Sequence, residues 1–206
     1  MPETEGMKNF PCTNDDLTKI KTSYLFQFIF VSLDPIIPLD IITKEMTDRV
    51  SWLPFKDLNA TLDYKKYDVE IFKYSNLQIG YAEEHDICFD IPKDSIDYGQ
   101  NIAAYYFWVF PNMMFNFYPW GLSVNIVKPI ETKKTKIEFI SFVWDERKLN
   151  IGAGADLDKV ELEDEEIVQR VQKGVGSRFY KHGRFSPRME KGVHHFHSLI
   201  SNFMFK

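Results

Sequence analysis

At 206 residues with a net charge of −5, the chain is long enough to bury one sizeable core. Hydrophobic residues make up 44% and aromatics 16%, which excludes a disordered segment and favours strands or a pocket lined with flat apolar side chains. No basic block stands out, so nucleic acid is excluded as a partner, and the acidic balance argues against an anionic membrane surface.

The first residues, MPETEGMKNFPC, are polar and acidic, unlike a signal peptide. Cys12 and Cys88 are the two cysteines. Their wide separation excludes a disulfide framework and a Cys-rich zinc or iron–sulfur site, and reads as free thiols in a reducing, cytoplasmic compartment. Tyr24 to Leu33 reads as one buried strand ended by Asp34-Pro35. Leu39 to Trp52 reads as a short helix, with Leu39, Ile42, Met46, Val50 and Leu53 at helical spacing. Asp63 to Tyr74 and Leu77 to Ala82 read as strands, and Glu83 to Asn101 as loop.

Between Asp97 and Lys128 there is no charged residue, a length that could suggest a membrane span. Pro111-Asn112, Pro119 and Gly121 cut it into pieces of strand length instead. Four strands are predicted: Ile102–Phe110, Met113–Tyr118, Leu122–Pro129 and Thr135–Trp144. Short turns between them make an antiparallel meander the simplest arrangement. Gly152 to Gly154 closes the sheet region. Helices are predicted over Asp156–Val175 and Pro187–Phe205. Strands first and helices last give an α+β fold with a C-terminal helix on the sheet.

In the first of these helices, at about 100° per residue, Leu157, Val160, Ile167, Val168, Val171 and Val175 form one apolar stripe, and Asp164 falls in its middle. Acids near a helix N-terminus are favoured by the dipole, which accounts for Glu161, Glu163, Glu165 and Glu166 but not for Asp164. A carboxylate on a buried face must be paired, hydrogen-bonded, protonated or bound to metal. The residues alone leave a buried ion pair and a metal ligand both open. In the last helix Met189, Val193, Phe196, Ile200 and Phe203 form the core stripe. His194, His195 and His197 surround it, only His194 and His197 sharing a face. A metal pair there competes with the plainer reading of polar helix flanks. His85 and His182 are single, in loop-like sequence. No H-E-x-x-H, GxSxG, GxGxxG or P-loop occurs.

Three separated stretches, YYFWVFPNMMFNFYPWGLSVNIVKP, VELEDEEIVQRVQKGVGSRFY and GRFSPRMEKGVHHFH, with FIFVSLDP near residue 30, resemble the catalytic domain of Rieske-type non-haem iron oxygenase α subunits, of the ring-hydroxylating and choline- or carnitine-monooxygenase kind. The resemblance runs in order to Phe203. It implies a helix-grip (START-like) fold: a curved antiparallel sheet closed by a long helix over an apolar cavity. It also implies mononuclear Fe(II) held by two His and one Asp. The family carboxylate lies in an E-x-E-D run, here Glu161-Leu162-Glu163-Asp164, so the resemblance selects Asp164 as ligand or former ligand. Tyr106, Asn116 and Asn125 match positions whose relatives line the substrate cavity; ordinary sheet packing is the alternative for each.

The departures from the family are equally definite. Residues 1–206 read as one catalytic-type domain without the Rieske domain whose Cys and His pairs hold a [2Fe–2S] cluster. The two His ligands, separated by four residues on a helix, are not found; the segment that would carry them is missing from WLPFKDLNATLDYKKY between about Phe55 and Thr61, through a deletion, through engineering, or because the sequence as written skips it. Complete members hydroxylate or demethylate a small organic substrate with O₂, take electrons from a reductase and usually form trimers; this chain is expected to be inactive as written. The alternative is a non-catalytic helix-grip domain that binds an apolar ligand or a partner subunit.

Overall fold

The computed structural model describes residues 6, 8–9, 12–13, 17–57, 59–69, 77–82, 87–188 and 190–205, with the backbone alone for 59–69 and 77–80 and for Asp158. The chain falls into two compact units, Met1–Ile41 and Ile42–Lys206.

The first unit holds a hairpin of β1 (Lys21–Leu25) and β2 (Phe28–Ser32), with Leu25 opposite Phe28. The single buried strand expected over Tyr24–Leu33 is therefore two short strands folded back at Phe26-Gln27. Phe26 takes the left-handed conformation at φ 52° that lets the chain reverse. The segment is largely exposed rather than buried: Tyr24, Ile29, Val31 and Leu33 all face solvent. A run of apolar residues without Gly or Asn hid the turn.

The helix α1 (Leu39–Val50) starts in the last residues of the first unit and follows the predicted periodicity in part: Ile42 is 40% exposed and Thr43 is buried in its place. Met46 and Val50 are buried, as is Leu53 just beyond. A single 3-10 turn at Phe55–Asp57 then leads to a six-stranded sheet. Its strands are β3 (Asn59–Val69), β4 (Leu77–Tyr81), β5 (Ile102–Val109), β6 (Met113–Tyr118), β7 (Gly121–Glu131) and β8 (Lys134–Val143). Every pairing is antiparallel and the spatial order is β3-β8-β7-β6-β5-β4. The predicted meander is β5 to β8; β3 and β4, consecutive in sequence, lie on opposite edges. The uncharged stretch is thus spent on β5, β6 and most of β7. No helix among the described residues is long and apolar enough to cross a membrane. The architecture is α+β, completed by α2 (Leu157–Val175) and α3 (Lys191–Met204).

Alternation along the strands gives the sheet two faces. On one, Tyr105 and Phe107 of β5 meet Phe89 and Phe117, and Phe117 takes Phe55 edge-on. This face is anchored by a buried ionic network. Asp97, 2% exposed, accepts from Arg49 Nη1 of α1 and, at 3.1 Å, from the Tyr105 hydroxyl. On the other face α3 seats Phe196 against Trp108, ring centroids 5.3 Å apart. There Leu157, at the start of α2, packs on Ala104, Tyr118, Trp120 and Val143.

Gly154 makes the turn into α2 workable. Its φ is +82°, and a Cβ there would stand 2.7 Å from Cδ1 of Tyr118. Gly154→Ala is expected to lose about 1–3 kcal/mol, since it adds both a left-handed side chain and a clash. Urea denaturation measures the loss; an unchanged midpoint would show that the turn can refold around the methyl group.

Candidate functional site

The pairing register draws a polar line across the α2/α3 side of the sheet. Tyr106 of β5 lies opposite Asn116 of β6, Asn116 opposite Ser123 of β7, and Ser123 opposite Ser141 of β8. Residues directly opposite share a face, with strands about 4.8 Å apart. Asn125, two residues beyond Ser123, lies on the same face and is buried at 6% exposure; its Oδ1 accepts from Ser123 Oγ at 3.1 Å. The structure thus brings Tyr106, Asn116 and Asn125 together on three neighbouring strands. Ser123, Ser141, Tyr118 and Glu161 join them and were missed. The two serines carry no signal until the register is known, although alternation within β7 already puts Ser123 on the same side as Asn125.

The surface is aromatic as well as polar. Tyr106 and Tyr118 stand edge-to-face at 5.9 Å with their hydroxyls hydrogen-bonded, and Tyr118 stacks on Trp120 at 5.2 Å. Burial pushes the Tyr118 phenol well above its ordinary value; Tyr106 and then the charge of Glu161 push the same way. The Tyr118 phenol is therefore a hydrogen-bonding group at neutral pH, and the charge acting on it is negative. Of these rings Tyr106 is half-buried while Tyr118 and Trp120 are buried, so the Tyr106 ring is the one that can attract a cation, and the hydroxyls and amides beside it serve oxygens.

Asp164 does not sit on the sheet-facing side. The half-buried residues of α2 are Leu157, Glu161, Glu165, Val168 and Gln172, while Val160, Ile167, Val171 and Val175 are each about half exposed and Asp164 is exposed among them. The expectation of a buried stripe is corrected on this point. The anchor at Leu157 sets the helix phase, and the contact face is turned roughly 90° from the stripe at 100° per residue. Partial burial, and then the neighbouring Glu163, still hold the Asp164 carboxyl above its ordinary range. Truncating Ile167 to Ala is accordingly expected to cost less than about 0.5 kcal/mol, against about 2–5 for a buried isoleucine. A thermal melt showing the larger loss would place this stripe in a core.

His194 and His197 both lie edge-on to Phe185, at 5.1 and 5.2 Å. His85 and Met189 lie outside the described residues. Among the described residues no group of three His, Cys, Asp or Glu side chains could hold a metal ion. They do not fit the two-His, one-carboxylate iron site the resemblance implies, and no reaction step through iron is derived.

Residues 92–205 match the family model for the catalytic domain of the ring hydroxylating alpha subunit, more than half of the chain. The chain belongs to this family. It is a Rieske oxygenase catalytic domain, similar to the chloroplastic choline monooxygenase of Arabidopsis thaliana (32% identical, covering 70% of this chain and 34% of the relative). The Beta vulgaris choline monooxygenase is 26% identical over 67% of this chain and 30% of its own length. The chain spans about a third of the length of these relatives. Among solved structures, the quaternary ammonium Rieske monooxygenase CntA with its substrate gamma-butyrobetaine superposes with a TM-score of 0.61. Sequence identity is 16%, over 96% of this chain and 64% of that one, so the likeness concerns the fold. The Rieske family supplies iron and [2Fe–2S] chemistry in its complete members; the relatives are chloroplastic, a compartment the cysteine pattern does not distinguish from the cytoplasm.

Proposed function

We propose that this chain is the substrate-holding part of a Rieske oxygenase that oxidises a small quaternary ammonium compound, and that residues 1–206 as written do not turn it over. The polar and aromatic line Tyr106–Asn116–Ser123, with Asn125 and the Tyr106–Tyr118 pair, carries the reading. It offers the Tyr106 ring for a cationic head and neutral hydrogen-bonding groups for oxygens, with the Glu161 carboxylate acting on Tyr118. The relatives' choline and the CntA substrate gamma-butyrobetaine are compounds of that type. In this reading the sheet with α2 and α3 is a helix-grip fold, and Asp164 descends from the third iron ligand.

The incompleteness of the iron site has its own support. An apolar stripe interrupted by a carboxylate, turned sideways from the sheet contact, is what a neighbouring segment carrying the two missing His would cover. A reductase and a trimeric assembly belong to the complete oxygenase on the same reading. The exposed stripe equally favours the second reading, a non-catalytic domain whose α2 flank docks a partner subunit.

The purified chain incubated with Fe(II) is expected to hold far less than one iron per chain by metal analysis, with no choline oxidation. Near-stoichiometric iron that is lost in Asp164→Asn would overturn the inactive reading and place the remaining ligands outside the described residues.

A further inference from the structure

We infer that Ser123 is a positioning residue: it fixes the side-chain amide of Asn125 so that Nδ2 is offered to an oxygen acceptor on the bound molecule. The inference rests on the reading of this sheet face as the substrate site and names the group that would recognise the substrate's oxygen.

Ser123 is 1% exposed, and its hydroxyl donates to Asn125 Oδ1 at 3.1 Å. Neither residue makes a further side-chain hydrogen bond among the described residues. The amide oxygen is thereby satisfied and the two N–H bonds of Nδ2 are not. Among the described residues the buried side-chain atoms without a partner are Trp108 Nε1 and Trp120 Nε1, so Asn125 Nδ2 keeps some contact with solvent and can meet an acceptor that a ligand brings. A second donor stands on the same side of the sheet. Trp108 is 7% exposed and its Nε1 is buried without a partner among the described residues. Trp108 is opposite Met114, and Met114 is opposite Asn125. The two donors therefore occupy one register line two strands apart, about 9–10 Å at sheet spacing. This side of the sheet carries donors at that line, and the charge of Glu161 acts on Tyr118, which lies on another line. A molecule with a cationic head toward Tyr106 and a carboxylate or carbonyl oxygen toward Asn125 satisfies both ends.

Tryptophan-fluorescence titrations with glycine betaine and tetramethylammonium test this, because the two share the cationic head and differ in the acceptor. Glycine betaine is expected to bind the unaltered chain at least about tenfold more tightly. Asn125→Asp replaces the donor with a carboxylate and should reverse that preference. Ser123→Ala should shrink the ratio severalfold, and Ser123→Thr should restore it. Equal affinities in the unaltered chain, or a ratio untouched in both Ser123→Ala and Asn125→Asp, overturn the inference but leave the cation reading standing. No binding of either probe by a folded chain overturns the reading of this face as a substrate site, and the inference with it.

Discussion

Asp97→Asn is expected to destabilise the chain by about 3–5 kcal/mol, because it leaves a largely buried guanidinium without its counter-charge. Arg49 is 19% exposed at the side chain and Asp97 2%. Glu45, the other acid near Arg49, is 3.7 Å away and largely exposed, so it compensates little. The network ties three pieces of chain together: α1 through Arg49, the loop before β5 through Asp97, and β5 through Tyr105. Tyr105→Phe removes one neutral donor from the same carboxylate and should cost only about 1 kcal/mol. Denaturant midpoints of the two variants separate the charge from the hydroxyl; equal losses would show that Arg49 finds another acceptor.

The same network fixes a pH dependence. Burial first, and then the charge and hydrogen bond of Asp97, hold the Tyr105 phenol well above its ordinary value of 10.0. A group whose folded value is raised keeps its full contribution below its unfolded value and loses it as the pH climbs past that value. Stability should therefore begin to fall as the pH climbs past about 10 and keep falling as it climbs further, and by less in Tyr105→Phe.

How far the sequence could be read depended on what set each feature. The strands β5 to β8 were legible because period-two alternation and the breaks at Pro111, Pro119 and Gly121 are local signals. The closing of β3 on β8, rather than beside β4, is a long-range pairing with no local mark. Asp164 shows the limit most plainly. Its position in an apolar stripe is correct, but a stripe names a face and not what covers it. The side that meets the sheet was decided by Leu157 against Tyr118 and Trp120, a contact the wheel cannot contain. Tyr106, Asn116 and Asn125 were selected by resemblance, and their common face follows from register; Ser123, between them in the line, is visible only through that register.

Phe196→Ala is expected to cost about 3–5 kcal/mol, the largest loss of any truncation in α3. The ring is 2% exposed and sits edge-on to Trp108, with Phe110 at 6.2 Å. Val193, the other buried residue of α3, is one turn earlier on the same stripe. Phe203, although its ring lies tilted at 36° and 4.9 Å from that of Phe110, is 38% exposed; its removal should cost about 1 kcal/mol, the value of an aromatic pair beyond burial. The comparison matters for function because Phe196 covers the ring whose indole N–H is held without a partner. Loss of the phenyl group would leave a cavity beside Trp108 and free that ring to turn its donor away from the line it shares with Asn125. A calorimetric melt gives the stability loss, and the tryptophan emission maximum reports the opened surroundings by moving to longer wavelength. A melt unchanged within about 1 kcal/mol, with emission unmoved, would mean that α3 is not held to the sheet through this residue.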